Sequence, residues 1–179
     1  KIALGHNADD QAETVLMRFI RGSGAKGLKG IPPVRRFASG AKMFIRPLIE
    51  VTRKEIIEFL KENNISYTLD SSNLKRTFLR NRIRMELIPH LEEYNPNIRQ
   101  NLLRVSHILR EEDKALEMVA ERAWKKIQRP EARGPRPEGS LRPELRPRGG
   151  EIIVLDTSKF LKEPLAMQLR LVRKAIYKV

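Results

Sequence analysis

The sequence has 179 residues, 40% of them hydrophobic, which suits one sizeable core with an appendage. Its net charge of +14 is typical of a protein with a polyanionic partner, for which nucleic acid is the first candidate. Cysteine is absent, which excludes disulfides and thiolate sites in this piece. No apolar run approaches the roughly 20 residues of a spanning helix, so we expect no membrane partner and a cytoplasmic location.

A strand followed by a helix is predicted at the start of the chain. Residues 2–4 are apolar, and from Ala8 the apolar residues take helical spacing. Asn7 is the expected N-cap and Gly22 the expected end of this helix. Because the chain begins with Lys1 directly at the strand, we expect its N-terminus to be cut.

The strand and helix pattern repeats over residues 1–90. Residues 43–49 read as a strand, Thr52 and Glu55 form a capping box for a second helix, and residues 65–69 fit another short strand. Such alternation is typical of an α/β domain with a parallel sheet, but there are too few strands for a complete doubly wound sheet. The sequence therefore predicts the C-terminal part of such a domain.

The second half of the chain predicts a long helix. Apolar residues recur at helical spacing over residues 98–127, a length of about 45 Å at 1.5 Å per residue. This pattern indicates a helical connector over residues 91–128, or two helices broken near residues 111–113.

A linker and the start of a second domain are predicted after the long helix. Residues 129–150 are mostly Arg, Pro, Gly and Glu, which cannot offset the entropy of ordering, so we expect a disordered linker. In residues 151–179, a strand at 152–155, a cap at Asp156 and a helix starting at Pro164 would begin a small α-rich domain.

The first group of candidate site residues follows the first strand. Asp10 and Glu13 are three residues apart on one predicted helix face, and His6 precedes them at the end of the strand. Ligands of parallel sheets bind at this junction, so the three side chains could converge on one cation. The alternative is that Asp10 and Glu13, with Asp9, only cap the helix while His6 packs beneath it.

The second group lies in residues 70–84. Arg80 and Arg84 would present two guanidinium forks on one exposed helix face, a geometry suited to phosphate. Asp70 and Asn73 suit a turn before that helix, and Asn81 lies between the arginines. The alternative is a solvated basic helix that follows an Asx turn.

A glycine-rich segment lies between these groups. Residues 22–27 fit the dinucleotide pattern G-x-G-x-x-G, but they follow a helix instead of a strand, so we reject a dinucleotide site. The segment, with Arg35 and Arg36, instead predicts a flexible basic loop whose contacts to RNA backbone would come from Arg21, Lys26 and Lys29.

Four motifs in order resemble the tRNA(Ile)-lysidine synthetase family, within the N-type ATP pyrophosphatases. The family patterns are GH(H/N)xDDxxET, RGSGxxGLxG, (I/R)RPL and DxSNx6RNxIR. They match residues 5–14, 21–30, 45–48 and 70–84. The resemblance covers the first ninety residues closely, and the later helix and strand match the family's connector and tRNA-binding domain loosely. The family's SGGxDS loop for ATP has no counterpart in this sequence, so we expect this fragment to be inactive alone.

The resemblance implies an ATP-dependent reaction in two steps. ATP, with Mg²⁺, adenylylates the wobble cytidine of tRNA(Ile) with a CAU anticodon, and free L-lysine then displaces AMP to form lysidine. His6, Asp10 and Glu13 would receive lysine, with Asp10 or Glu13 as the base. Arg80 and Arg84 would face nucleotide or tRNA phosphate, and Asn73 and Asn81 would orient the loop. No resident protein-bound metal is implied, and a homodimer is left open.

Two other functions compete with this one. A tRNA thiolase of the same superfamily activates a similar base oxygen, but such enzymes use cysteines and this piece has none. A non-enzymatic basic RNA-binding module would explain the charge but not the carboxylate cluster.

Limited proteolysis tests the predicted linker. Because residues 129–150 lack apolar anchors and contain several arginines, trypsin should cleave there before it cleaves elsewhere. The order of fragments is read by mass spectrometry, and protection of this stretch would contradict the predicted boundary.

Overall fold

A computed structural model describes residues 1–37, 42–68, 78–128 and 153–178. The chain forms two compact units, Lys1–Asp113 and Lys114–Val179. The predicted linker at 129–150, together with Asp70 and Asn73, lies outside the described residues. The proposed domain bounds at 90, 128 and 150 therefore stay predictions.

The described part of the first unit is mixed α/β and mostly helical. Its strands are β1 (Ile2–Ala3), β2 (Val34–Arg36) and β3 (Met43–Ile45). Its helices are α1 (Ala8–Ile20), α2 (Ala25–Leu28), α3 (Arg53–Glu62), α4 (Leu79–Arg82), a π-helix (Ile83–Leu87), α5 (Ile88–Tyr94) and the beginning of α6 (Ile98–Ile127). None of the helices in the described ranges is long and apolar enough to cross a membrane.

The sheet of the first unit has the strand order β1-β3-β2. Strands β1 and β3 are parallel, with Ile2 opposite Phe44, whereas β2 is antiparallel to β3, with Val34 opposite Ile45. The prediction of a parallel sheet was therefore right for one strand pair and wrong for β2. The charged pattern of β2 gave no strand signal, because an exposed edge strand does not need an apolar face.

The predicted strand at residues 65–69 is wrong over its described part, residues 65–68, which form no strand. Helix α3 ends before it, and Asn64 takes a positive φ of 53°. Ile65 and Tyr67 are about half exposed, so this described stretch lacks the burial that a strand of a packed sheet has.

The helix starts agree with the predicted capping residues. Asn7 and Asp10 form a reciprocal capping box on α1, and Thr52 and Glu55 form one on α3. The hydrogen bonds from Thr52 lower the pKa of the Glu55 carboxyl. Gly22 follows α1 with a φ of 74°, a conformation that costs glycine little. Local sequence chemistry therefore fixes where both helices begin.

The core of the first unit joins α1 to the helices that follow residue 78. Leu16, Ile83 and Ile88 are buried together, and the side chains packed against them are Met17, Leu87, Leu91 and Leu102. This contact holds the π-helix and α5 against α1. The residues just before them, including Arg80, are thereby brought to the start of α1.

The described part of the second unit contains α6 residues from Lys114 onward, α7 (Thr157–Phe160) and α8 (Leu165–Lys178). The buried residues of its core are Ala120, Ala123, Trp124, Ile127, Met167 and Leu171. Asp156 caps α7 as predicted. The predicted strand at 152–155 is reduced, over its described residues, to one bridge between Leu155 and Gln128.

Truncation of Ile88 tests the first core. Ile88 is 0% exposed, so Ile88→Ala should lower the free energy of unfolding by about 2–5 kcal/mol. Ile108→Ala is the matched control, because Ile108 is 48% exposed and should cost less than about 1 kcal/mol. Urea unfolding followed by circular dichroism measures both. Equal losses would contradict the placement of Ile88 in the core.

Candidate active site

Helix α1 begins at the edge where the parallel strands β1 and β3 end. The Leu4 N–H donates to the Ile45 carbonyl at 2.9 Å, and the Ala8 N–H donates to the Val51 carbonyl at 2.9 Å. Ligands of α/β proteins bind at such strand ends. The side chains on the first turns of α1 therefore lie where a reactant would bind.

Four charged side chains form one cluster at this edge, and we call Asp10, Glu13, Arg80 and Arg84 the ion cluster. Arg80 Nε lies 2.8 Å from Glu13 Oε2, and its Nη2 lies 2.9 Å from Asp10 Oδ1. Arg84 Nε lies 2.5 Å from Glu13 Oε1, and its Nη2 lies 3.2 Å from Asp10 Oδ1. Both forks share a face, as predicted, and both use it to bind the two predicted carboxylates.

Burial differs sharply between the two acids of the ion cluster. The Glu13 side chain is 0% exposed, whereas that of Asp10 is 18% exposed. Arg80 and Arg84 are 35% and 25% exposed, so the predicted open basic face is wrong. The hydrogen bond that Arg84 donates to Glu13 raises the pKa of Arg84 despite partial burial, so the guanidinium stays charged. The cluster is formally neutral, with Asp10 as its more accessible acid.

A π-helix places the second arginine. Arg80 belongs to α4, and Arg84 lies in the π-helix Ile83–Leu87 that follows directly. The wider turn of a π-helix changes the direction of the side chains that follow it, and such segments occur often at functional sites. Ile83, fully buried in the core, anchors the segment. The apolar anchor Ile83 and the two arginines thus come from one short stretch, residues 80–84.

Asp9 has a structural role that the sequence predicted only in part. Its Oδ2 accepts from the Arg53 N–H at 2.7 Å, and its Oδ1 accepts from Arg99 Nη1 at 3.0 Å. Arg99 also binds Glu92 at 2.7 Å. Asp9 therefore ties the start of α1 to α3 and α6, while the neighbouring Asp10 serves the ion cluster.

His6 and Asn81 lie near the ion cluster in sequence, but no described hydrogen bond joins His6 to it. His6 Nδ1 is buried without a hydrogen-bond partner among the described residues. Asn81 is half-buried on α4 and has interactions of its own. The roles predicted for both stay predictions, as does that of Asn73.

The predicted tRNA contacts fall on the segment that follows α1. Arg21 and Lys26 are exposed, whereas Lys29 is partly buried and forms an ion pair with Asp113. The carbonyls of Gly27 and Gly30 each accept a hydrogen bond from Arg18 at 2.8 Å. Side chains therefore hold this segment in place, whereas the sequence predicted a flexible loop.

Comparison with known proteins identifies the family. A family model described as a PP-loop domain matches residues 1–91, which is half of the chain and includes the whole ion cluster. The chain belongs to the PP-loop family.

Several tRNA(Ile)-lysidine synthases are similar to this PP-loop chain. That of Symbiobacterium thermophilum is 39% identical over 100% of the chain and 34% of its own length. That of Geobacter sulfurreducens is 37% identical over 98% of the chain and 33% of its own length. That of Bacillus subtilis is 37% identical over 70% of the chain and 26% of its own length. The predicted resemblance is confirmed, and the chain spans about a third or less of these relatives.

Removal of the Glu13 charge tests the ion cluster of the PP-loop domain. Glu13→Gln should lower the free energy of unfolding by about 1–3 kcal/mol, because two guanidinium groups lose their buried partner. Partial exposure of the arginines keeps the loss below that of a fully buried pair. Glu58→Gln is the control, since the exposed Lys54–Glu58 pair contributes less than about 0.5 kcal/mol. Similar urea midpoints for both variants would contradict the cluster.

Proposed function

We propose that the intact protein ligates free lysine to C2 of the wobble cytidine in the CAU anticodon of tRNA(Ile), consuming ATP. The observation that carries the proposal is Asp10, which pairs with Arg80 and Arg84 but is the more accessible carboxylate of the ion cluster, with 18% of its side chain exposed. It stands at the strand ends of a PP-loop domain, the place where α/β proteins bind ligands. Relatives of the chain are named tRNA(Ile)-lysidine synthase, which agrees with the proposed activity.

The proposed reaction has two steps. The C2 oxygen of the cytidine attacks the α-phosphorus of ATP, and pyrophosphate leaves. The ε-nitrogen of lysine then forms a bond to C2, the bond from C2 to the adenylyl oxygen breaks, and AMP leaves. Lysine arrives as an ammonium ion and has to lose its proton before it attacks, so the site needs a carboxylate within reach of that nitrogen.

The two acids of the ion cluster have different roles in this proposal. Asp10 is 18% exposed, so an ammonium group can approach it and transfer a proton to it. Glu13 is fully enclosed, and each of its oxygens already accepts from a guanidinium group. We therefore assign the lysine contact and the base to Asp10, keep His6 as a second proposed lysine contact, and assign to Glu13 the holding of Arg80 and Arg84.

The two arginines can serve the leaving group from their exposed side. Each keeps a quarter to a third of its side chain accessible, at 25% for Arg84 and 35% for Arg80. A guanidinium fixed by a carboxylate on one side offers preorganised donors to a phosphate on the other. In the proposal they stabilise the charge of AMP as the amine displaces it.

The ion cluster does not fit a resident Mg²⁺. Among the described residues no group of three or more histidines or acids is placed to hold a metal ion. The carboxylates that a magnesium ion would need at this edge are already paired with guanidinium groups. In the proposal Mg²⁺ therefore accompanies the phosphates of ATP, and no step is assigned to a metal held by these residues.

The surface charge supports tRNA as the large substrate. The chain carries a net charge of +14, and Arg21 and Lys26 are exposed beside α1. These cations would neutralise backbone phosphates and position the anticodon without reading its sequence. Lys29 contributes less directly, because Asp113 already pairs with it.

The two rival functions fit less well. A thiolase would deliver sulfur, which does not call for a carboxylate that receives an ammonium group. A basic RNA-binding module would not by itself call for an enclosed Glu13 held by two arginines beside a more accessible Asp10, because enclosing a charge is costly. Binding of RNA that does not respond to ATP or lysine would favour the module.

Substitution of Asp10 separates the two steps. Asp10→Asn in the intact enzyme should keep tRNA-dependent exchange of pyrophosphate into ATP, because adenylylation does not involve lysine. It should raise the lysine KM at least tenfold or abolish lysidine formation, since the ammonium loses its carboxylate. Glu58→Gln, an exposed acid on α3, is the control.

The opposite result would remove Asp10 from the lysine site. Unchanged lysine kinetics, with a loss of stability alone, would show that Asp10 serves only the structure, through the capping box with Asn7 and its ion pairs with Arg80 and Arg84.

A further inference from the structure

The backbone at the end of α2 and just beyond it accepts hydrogen bonds from side chains of other elements. We call residues 27–31 the clamped segment. Four of its carbonyls accept side-chain hydrogen bonds, those of Gly27, Lys29, Gly30 and Ile31. The donors stand on α1 and α6, so two helices fix the path of a chain that forms no sheet contact of its own.

Gln11 is the centre of this arrangement. Its side chain is buried, at 3% exposure, on the face of α1 that also buries Ala8 and Val15. Its Oε1 accepts from the Ile31 N–H at 2.6 Å, and its Nε2 donates to the Ile31 carbonyl at 3.2 Å. The amide therefore pairs with both backbone groups of one residue, as a neighbouring strand would.

Helix α6 completes the clamp. Gln11 Nε2 donates to Ser106 Oγ at 2.9 Å, and Ser106 Oγ donates to the Lys29 carbonyl at 3.0 Å. Arg110 Nη2 reaches the carbonyls of Lys29 and Ile31 at 3.2 and 3.3 Å. Partial burial lowers the pKa of the Arg110 guanidinium. Gln11, Ser106 and Arg110 are thus joined to the clamped segment by one connected set of hydrogen bonds.

Gly30 is required by this packing. It has a φ of 66°, a backbone conformation that residues other than glycine rarely adopt. A Cβ at this position would lie 2.5 Å from Gln11 Oε1 and 2.7 Å from Gln11 Cδ. The segment thus approaches the Gln11 amide more closely than any residue with a side chain allows.

We infer that Gln11 is a positioning residue that holds the clamped segment, and through it the exposed Lys26, in place for tRNA phosphate. The inference rests on the proposed function, because it concerns the tRNA substrate of that enzyme. Lys26 is exposed and immediately precedes the clamped segment, while Arg21 is exposed at the end of α1. Gln11 touches neither reactant and acts only through the backbone that it holds.

The test uses the full-length enzyme with two readouts. Gln11→Ala should raise the KM for tRNA(Ile) about tenfold, while the KM values for lysine and ATP change less than twofold. Hydrogen exchange at the Ile31 amide should accelerate, because its acceptor is removed. Gln100→Ala is the matched control, since Gln100 is exposed on α6.

Two further variants keep the test valid if Gln11→Ala does not fold. Ser106→Ala removes one member of the network, and Gly30→Ala drives a Cβ into the Gln11 amide. Each should raise the tRNA KM selectively. The Gln11→Ala/Gly30→Ala double variant should show a smaller effect than the product of the two single effects, because they share one contact.

Failure of the inference differs from failure of the proposed function. Unchanged exchange at Ile31, or faster exchange with an unchanged tRNA KM, would overturn the positioning role while lysidine still forms. If the wild-type enzyme forms no lysidine, the proposed function fails. The tRNA dissociation constant from filter binding, compared between wild type and Gln11→Ala, then decides the inference by the same tenfold criterion.

Discussion

The enclosed carboxylate of Glu13 is the constraint on which the first unit depends. A charge without access to water is costly unless opposite charges and hydrogen bonds compensate it, and Arg80 and Arg84 supply both. These arginines come from a segment about seventy residues later in the chain, so folding has to bring α4 and the π-helix onto α1. The apolar contact of Leu16 with Ile83 and Ile88 stabilises the same approach.

The ion cluster also explains why neighbouring acids in one motif do different work. Asp9 faces the N–H of Arg53 and the guanidinium of Arg99, and therefore fastens α1 to other helices. Asp10 and Glu13 instead pair with Arg80 and Arg84, and of these two acids only Asp10 is partly exposed to solvent. A motif dense in acids thus divides into a fastening residue, an enclosed partner and one accessible carboxylate. This division favours Asp10 over Glu13 as the residue that meets an ammonium group.

Local signals in the sequence predicted the helix starts and the four members of the ion cluster. Asn7 and Thr52 cap helices because their side chains accept from nearby N–H groups, which is a property of adjacent residues. The pairing of Arg80 with Glu13 depends on contacts across the fold, and spacing alone does not determine it. Strand β2 was missed because an exposed edge has no apolar period. Gln11 left a weak signal, as a polar residue within the apolar stripe of α1.

Helix α1 carries both the carboxylate proposed to bind lysine and the side chain proposed to position a tRNA contact. Adjacent residues on an α-helix point about 100° apart, since 3.6 residues complete a turn. Asp10 therefore faces the arginines while Gln11 faces the clamped segment. On the proposed function, one rigid helix fixes the distance between the lysine carboxylate and the backbone that presents Lys26 to tRNA. The amine and C2 have to meet within roughly 3–3.5 Å, and a shared helix restricts that approach better than two separate loops would.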